Sequence, residues 1–361
     1  MNIFVNATSA DVGGAFTITD QFIQSVKLYD QKNIYYIFVS NNKFDHYKCE
    51  TRKIIKVNAK KWVNRFLWDT FGIKKWSTKH KIKPDKIISL QNTPVNYPTI
   101  KQIVYIHTTV PFLSYKWRLF NNKERILWFY KNIYPFFIKI FLNDNCKIIV
   151  QANWFKNIVT KKMKVNPDRI FVVKPNSKLT ITDIKVEKSD IDYRLFFYPA
   201  ADYVYKNHLI ILKAMRQLKI SDKELYREIK IIFTLDESSW VYKEAIKLEV
   251  NDQISFVGHL EKEEVLQYYL NSQAILFPSY IETVGLPLLE SAQLKKYIIC
   301  SDEEFAHEML CNYNYVSYVP THNSIDWMTE IIKSLGVEGN IGLFNEVEEE
   351  GWGKFFDIAK S

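Results

Sequence analysis

Glycine is scarce in this chain of 361 residues: ten in all, and before residue 330 only Gly13, Gly14, Gly72, Gly258 and Gly285. That excludes glycine-rich low-complexity segments, and it makes each glycine a marker of tight turning or close backbone approach. Cysteine is scarce as well. Cys49, Cys146, Cys300 and Cys311 form no CxxC pair, and the seven histidines do not fall at zinc-ligand spacing near them. The plain reading is a reduced, cytoplasmic chain without a structural metal. The opening MNIFVNATSA lacks the basic and long apolar regions of a signal peptide. The most apolar run, Ile126 to Leu142, is interrupted by Lys131, Asn132 and Lys139, so it is too short and too charged to span a bilayer. No internal repeat, Walker-type loop, nucleophile elbow or HExxH zinc helix is found.

What is present is ample apolar mass. Hydrophobic residues make up 47% and charged residues 25%, enough for real cores, and the length allows two domains. Forty-nine basic against forty acidic residues give a net charge of +9, which favours a nucleotide phosphate, a polyanion or an anionic membrane as partner. The lysines are spread over the whole chain and no nucleic-acid module is recognisable, so no nucleic-acid partner is expected.

Short β-rich runs alternate with amphipathic segments throughout. Seven strands are predicted up to Val173 (Asn2–Asn6, Ile34–Ser40, Ile54–Val57, Lys86–Leu90, Gln102–His107, Lys147–Gln151 and Arg169–Val173). Six more follow, at Arg194–Tyr198, Ile229–Leu235, Ile254–Gly258, Ala274–Pro278, Tyr297–Ser301 and Tyr315–Val319. Runs such as IIFTL and AILFP are nearly all apolar, as strands covered on both faces of a parallel sheet should be. The polar stretch 176–193 reads as a linker. The fold class is α/β, with two Rossmann-like, doubly wound parallel-sheet domains over 1–180 and 190–340. A helix over 343–361 is expected to pack back across the domain boundary.

Two stretches, 60–83 and 115–141, are basic and aromatic together, and each contains a single acid, Asp69 and Glu124. They suit an interfacial surface meeting anionic lipid. Half-buried helices whose aromatics face a core while lysines face water would read the same.

The chemistry concentrates in FPSYIETVGLPLLESAQLKKYIICSD, residues 277–302. An apolar strand ends, the chain passes Gly285, and a helix starts near Leu286–Pro287. Ligands of open α/β sheets bind beyond the carboxyl ends of strands, and a helix start is a natural seat for phosphate. Glu282 and Glu290 beside such a site suit the hydroxyls of ribose and a hexose. In LFFYPAADYVYKNHLIILKAM (195–215), Lys206 stands at a helix entry, an obvious counter-charge for a diphosphate. Gly13-Gly14 follow the first strand, where any tight turn would also use them. His107 ends a strand in QIVYIHTTVPF; His208, His259 and His307 have less support. Asp190–Asp192 matches a metal-binding pattern but falls in the linker.

Several of these features agree in order with one family. E-T-V-G-L-P-L-L-E, with Pro278-Ser279 before it and Ser301-Asp302 after it, resembles the E-x7-E signature of retaining GT-B glycosyltransferases of family 4. The upstream run 256–279 is similar too, as are the Gly13-Gly14 loop and the Tyr-Ile-His-x-x-x-Pro-Phe pattern around His107. The resemblance implies a GT-B architecture whose two domains face a central cleft. It implies Glu282 on the donor sugar, Glu290 on the ribose, and Lys206 with the backbone at Val284, Gly285 and Leu286 on the diphosphate. Gly13, Gly14 and His107 would face the donor from the first domain, His107 positioning it or handling the acceptor's proton. Pro199-Ala200 stands where many members have Gly-Arg, leaving open whether a second cation reaches the phosphates.

The expected function is retaining transfer from a nucleotide-diphosphate sugar to a saccharide acceptor, lipid-linked, in bacterial surface polysaccharide (lipopolysaccharide or capsule) synthesis. The expected location is cytoplasmic, peripheral at the inner face of the membrane. No cofactor and no metal are called for, since lysine and helix dipole can neutralise the diphosphate. The alternatives are a GT-B sugar-nucleotide epimerase and a non-catalytic basic surface-binding module.

Overall fold

The computed structural model describes residues 1–11, 13–176, 192–337 and 351–360. The chain divides into one unit of Met1–Asn176 with Glu349–Ser361, and a second of Ser177–Glu348.

The first unit holds a seven-stranded sheet. Its strands are β1 (Asn2–Asn6), β2 (Ile34–Val39), β3 (Arg52–Lys56), β4 (Lys86–Ser89), β5 (Lys101–Tyr105), β6 (Cys146–Val150) and β7 (Ile170–Val172). The second holds six: β8 (Asp192–Tyr198), β9 (Lys230–Phe233), β10 (Ile254–Phe256), β11 (Ser272–Phe277), β12 (Tyr297–Ser301) and β13 (Val316–Val319). All thirteen predicted runs are strands, with ends displaced by no more than two residues. Of the Asp190–Asp192 pattern, Asp190 lies outside the described residues, and only the backbone of Asp192 is described, where β8 begins.

The orders are β3-β2-β1-β4-β5-β6-β7 and β10-β9-β8-β11-β12-β13, and every pairing is parallel. Each sheet starts in its middle, winds one way and then reverses, between β1 and β4 and between β8 and β11. Loops leaving those two neighbours diverge to opposite faces and open a crevice at the carboxyl edge. β4 and β11 are buried along their whole lengths, as the apolar runs Ile87–Ile88 and Ala274–Phe277 within them require.

The helix Gly351–Lys360 belongs to the first unit. Phe355 and Phe356 meet the Phe22 ring at 5.6 and 5.8 Å, and Trp352 stacks on Tyr105 at 6.0 Å. Lys86 Nζ donates to the Ala359 carbonyl. Burying each such aromatic stabilises the unit by about 1.5–3 kcal/mol. Residues 343–350 of the predicted tail helix lie outside the described residues.

The basic aromatic stretches do two things. Trp68 and Trp76 pack on Phe38 at 5.2 and 5.0 Å, so part of 60–83 is core. Trp62 meets Phe129 and Phe137 at 5.0 and 4.3 Å, joining this stretch to 115–141. Val63, Leu67, Phe71, Phe120, Ile126 and Phe136 remain exposed.

Candidate functional site

β8 ends at Tyr198, and the chain runs through Pro199-Ala200 into a short 3-10 turn, Val204–Lys206, before the helix His208–Ser221. Asn207, between them, is left-handed at φ 57°, a conformation asparagine tolerates. Its Nδ2 donates to the Thr321 carbonyl at 2.9 Å. Tyr198 Oη donates to the Lys206 carbonyl at 2.8 Å, and the Tyr280 amide donates to the Tyr205 carbonyl at 3.1 Å. The loops after β8 and β11 are thereby tied together at the point where the second sheet reverses.

Two residues 76 apart meet there. Lys206 Nζ forms an ion pair with Glu282 Oε1, the side chains 16% and 15% exposed. The same ammonium lies 5.8 Å from the ring centroids of both Tyr205 and Phe277. Just beyond, Gly285 turns the chain at φ 70°, and a Cβ there would stand 3.3 Å from Phe277 Cζ and Leu288 Cδ1. Conformation and crowding both demand glycine. Gly285 caps the helix Leu286–Gln293, whose positive dipole end therefore opens beside the pair. Val284 is buried behind this turn, and Leu286 is half-buried.

Glu290 stands in the second turn of that helix. It accepts a hydrogen bond from Tyr269 Oη at 3.0 Å and bonds to neither Lys206 nor Glu282. Burial pushes its carboxyl above the usual range, against the pull of the Tyr269 bond and the Lys262 charge. His208 is fully buried between Tyr198 and Phe233, at 4.7 and 4.9 Å. Burial, and then the Lys206 charge, push its imidazole down to about 3, so it packs as a neutral ring. His259 is exposed, and His307 Nε2 pairs with Asp302 at 2.6 Å.

In the first unit, Gly13 starts the helix Gly13–Tyr29 at φ 62°, and nothing lies within 4 Å of a Cβ built at Gly13 or Gly14. His107 follows β5 and is half-buried. Asn92, itself left-handed at φ 69°, holds it. Its Oδ1 accepts from the His107 and Thr108 amides at 2.7 and 3.1 Å, and its Nδ2 lies 3.3 Å from His107 Nε2. Burial pushes the imidazole down to about 4. It is therefore neutral at physiological pH, better suited to hydrogen bonding than to proton capture.

Residues 180–341 match the family Glycosyl transferases group 1. Lys206, Glu282 and Glu290 all lie inside the matched stretch. The O-antigen chain mannosyltransferase RfbU of Salmonella typhimurium is 21% identical over 255 residues, 70% of this chain and 69% of its own length. Among solved structures, WaaG, a glycosyltransferase involved in lipopolysaccharide biosynthesis, has a TM-score of 0.66 at 12% identity, covering 93% of this chain and 90% of its own. HepE of Anabaena, crystallised with UDP-glucose, has a TM-score of 0.61 at 12% identity over the same shares. Both units are the Rossmann-like halves of a GT-B fold.

Sequence reasoning did not find Asn92 or Tyr269. The one available signal for Asn92 is an asparagine just past a strand end, where a left-handed residue is common. Tyr269 sits on a helix, Lys262–Asn271, whose apolar face gives no hint of the carboxylate it serves.

Proposed function

We propose that this chain transfers a sugar from a nucleoside-diphosphate sugar to a saccharide acceptor with retention at the anomeric carbon. The observation that carries this reading is the Lys206–Glu282 pair, set at the reversal of the second sheet beside the helix that Gly285 opens. A bound donor would part the pair. Lys206 and the amides near Val284–Leu286 would turn to the diphosphate, stabilising the charge that grows as the glycosidic bond breaks. Glu282 would accept hydrogen bonds from the donor sugar, and Glu290 from the ribose. His107, as a neutral ring, and the Gly13-Gly14 loop are assigned to the donor as well. In a same-face route, the acceptor oxygen bonds to the anomeric carbon as the bond to the phosphate oxygen breaks, and the departing phosphate takes the acceptor's proton. This needs no metal from the protein, so full turnover is expected in excess chelator; loss of turnover there would overturn the metal-free scheme.

The names of RfbU and WaaG support an acceptor in lipopolysaccharide or O-antigen assembly, and we take it to be lipid-linked. Among the described residues no helix is long and apolar enough to cross a membrane. Peripheral docking at the inner face is supported by the exposed Val63, Leu67, Phe71, Phe120 and Phe136 in lysine-rich surroundings. Leu67 and Phe71 also wall a groove of about 390 Å³, together with Trp68 and Lys75. Sedimentation with phosphatidylglycerol vesicles should carry the protein down at low salt, and 0.5 M salt should release it. No binding at low salt would argue for packing surfaces alone.

The deciding experiment supplies sugar nucleotides with a lipid-linked saccharide and reads the product's anomeric configuration by NMR. A new glycoside with the donor's configuration is expected. An inverted product would exclude retention, and a rearranged sugar from donor alone would favour an epimerase.

A further inference from the structure

The first sheet has its own point of reversal, between β1 and β4, and a carboxylate is buried there. Asp69 comes from the π-helical turn Trp68–Gly72 and is 6% exposed. Its Oδ1 accepts from Asn6 Nδ2 at 2.8 Å and from Gln91 Nε2 at 2.9 Å. Its Oδ2 accepts from Thr93 Oγ1 at 3.0 Å and again from Gln91 Nε2 at 3.1 Å. Every polar group bonded to this carboxylate is a donor.

The network continues outward through Gln91. With its nitrogen turned to Asp69, its Oε1 faces the loop after β1, accepting from Thr8 Oγ1 at 2.7 Å and from the Ser9 amide at 3.2 Å. That loop leads to Gly13. The next residue, Asn92, holds His107 and Thr108. Three loops at the carboxyl edge, after β1, β4 and β5, are therefore linked through one dipeptide anchored on Asp69.

We propose that Asp69 is a positioning residue: by dictating which way the Gln91 amide points, it fixes the Thr8–Ser9 turn that leads to Gly13-Gly14. The proposal rests on the donor-facing role assigned above to those glycines. A buried carboxylate is a costly way to fill space, and an apolar side chain of like volume would serve packing at least as well. What a carboxylate offers is acceptors alone. An amide would turn an NH₂ toward Asn6, Gln91 or Thr93, and the simplest relief, a flipped Gln91, would point a donor at the Ser9 amide. Burial pushes the Asp69 carboxyl up to about 7, opposed by its three donors and the Arg65 guanidinium. The other ionisable group interacting with it is the Tyr134 phenol.

The test exchanges the polarity of the pair. Asp69→Asn should lower kcat about tenfold or more while KM for the nucleotide sugar, assigned mainly to residues of the second unit, changes by a smaller factor. Asp69→Asn with Gln91→Glu gives the new amide nitrogen an acceptor at position 91 and keeps an acceptor facing Thr8 and Ser9, so kcat should return to within about threefold of wild type. Amide hydrogen exchange over residues 8–11 should quicken in Asp69→Asn and slow again in the paired variant. This readout stays informative even if the wild type transfers no sugar, a result that would count against the proposed function instead. Should the Asp69 variants not fold, Gln91→Leu decides, since it leaves Asp69 its Asn6 and Thr93 bonds. Unchanged exchange and kcat in that variant, or a folded paired variant that recovers neither, would overturn the proposal.

Discussion

Lys206→Ala should lower kcat for sugar transfer by about 10²–10³-fold, the usual effect of removing one preorganised group that stabilises leaving-group charge. The geometry supports a large value. The ammonium lies 5.8 Å from each of two aromatic ring centroids with little exposure to water, where a charge acts at lower effective dielectric than in bulk. The same substitution strands Glu282 without its cation in a mostly buried place, so thermal stability should fall too. Lys206→Ala with Glu282→Gln isolates the effect on stability, because the stranded charge is gone. Its melting temperature should recover, while turnover should fall further with the carboxylate assigned to the donor sugar also lost. Near-normal turnover in Lys206→Ala would remove the lysine from the chemistry.

Glu290→Gln should weaken binding of the nucleoside diphosphate by about 10–100-fold and at the same time stabilise the ligand-free protein at neutral pH. The first effect is the loss of charge-assisted hydrogen bonds to hydroxyls, about 1.5–3 kcal/mol. The second follows from linkage. Burial raises the carboxyl's folded-state pKa above its ordinary 4.5. Its stabilising contribution is therefore complete below the unfolded value and is lost as pH rises through the folded one. Glutamine can still accept from Tyr269 and carries no such cost. Melting curves from pH 4 to 8 should coincide at the acid end and diverge toward the alkaline end, with the variant on top. Unchanged nucleotide affinity by calorimetry would remove Glu290 from the ribose.

The sheets were legible because burial on both faces leaves short apolar runs in strands such as β9 and β11, set at regular intervals between longer amphipathic segments. The turn at Gly285 was legible for a related reason: where glycine is so rare, one set between an apolar strand and a helix marks a backbone that other residues cannot follow. The Lys206–Glu282 contact was not legible. Each residue announces a loop or a helix entry, and only the adjacency of β8 and β11 brings them together. The Asp69 network was further out of reach, since Asn6, Asp69, Gln91 and Thr93 are polar residues scattered over one strand end and two connections. The aromatic stretches resisted a single answer because both answers hold in part. Trp68 and Trp76 serve the core while Phe71, Phe120 and Phe136 face outward.

The helix Gly351–Lys360 bears on how the chain is born. Its aromatics cover Phe22 and Tyr105, yet the ribosome makes it only after everything from Asn176 to Gly351. At about 5–20 residues per second that delay is on the order of ten to thirty seconds. The first half of the molecule emerges with an oily face still waiting for its lid, and its second half must be threaded out meanwhile. A nascent chain of this layout gains from a holdase such as a ribosome-bound chaperone, and translation halted early would leave a product prone to clump.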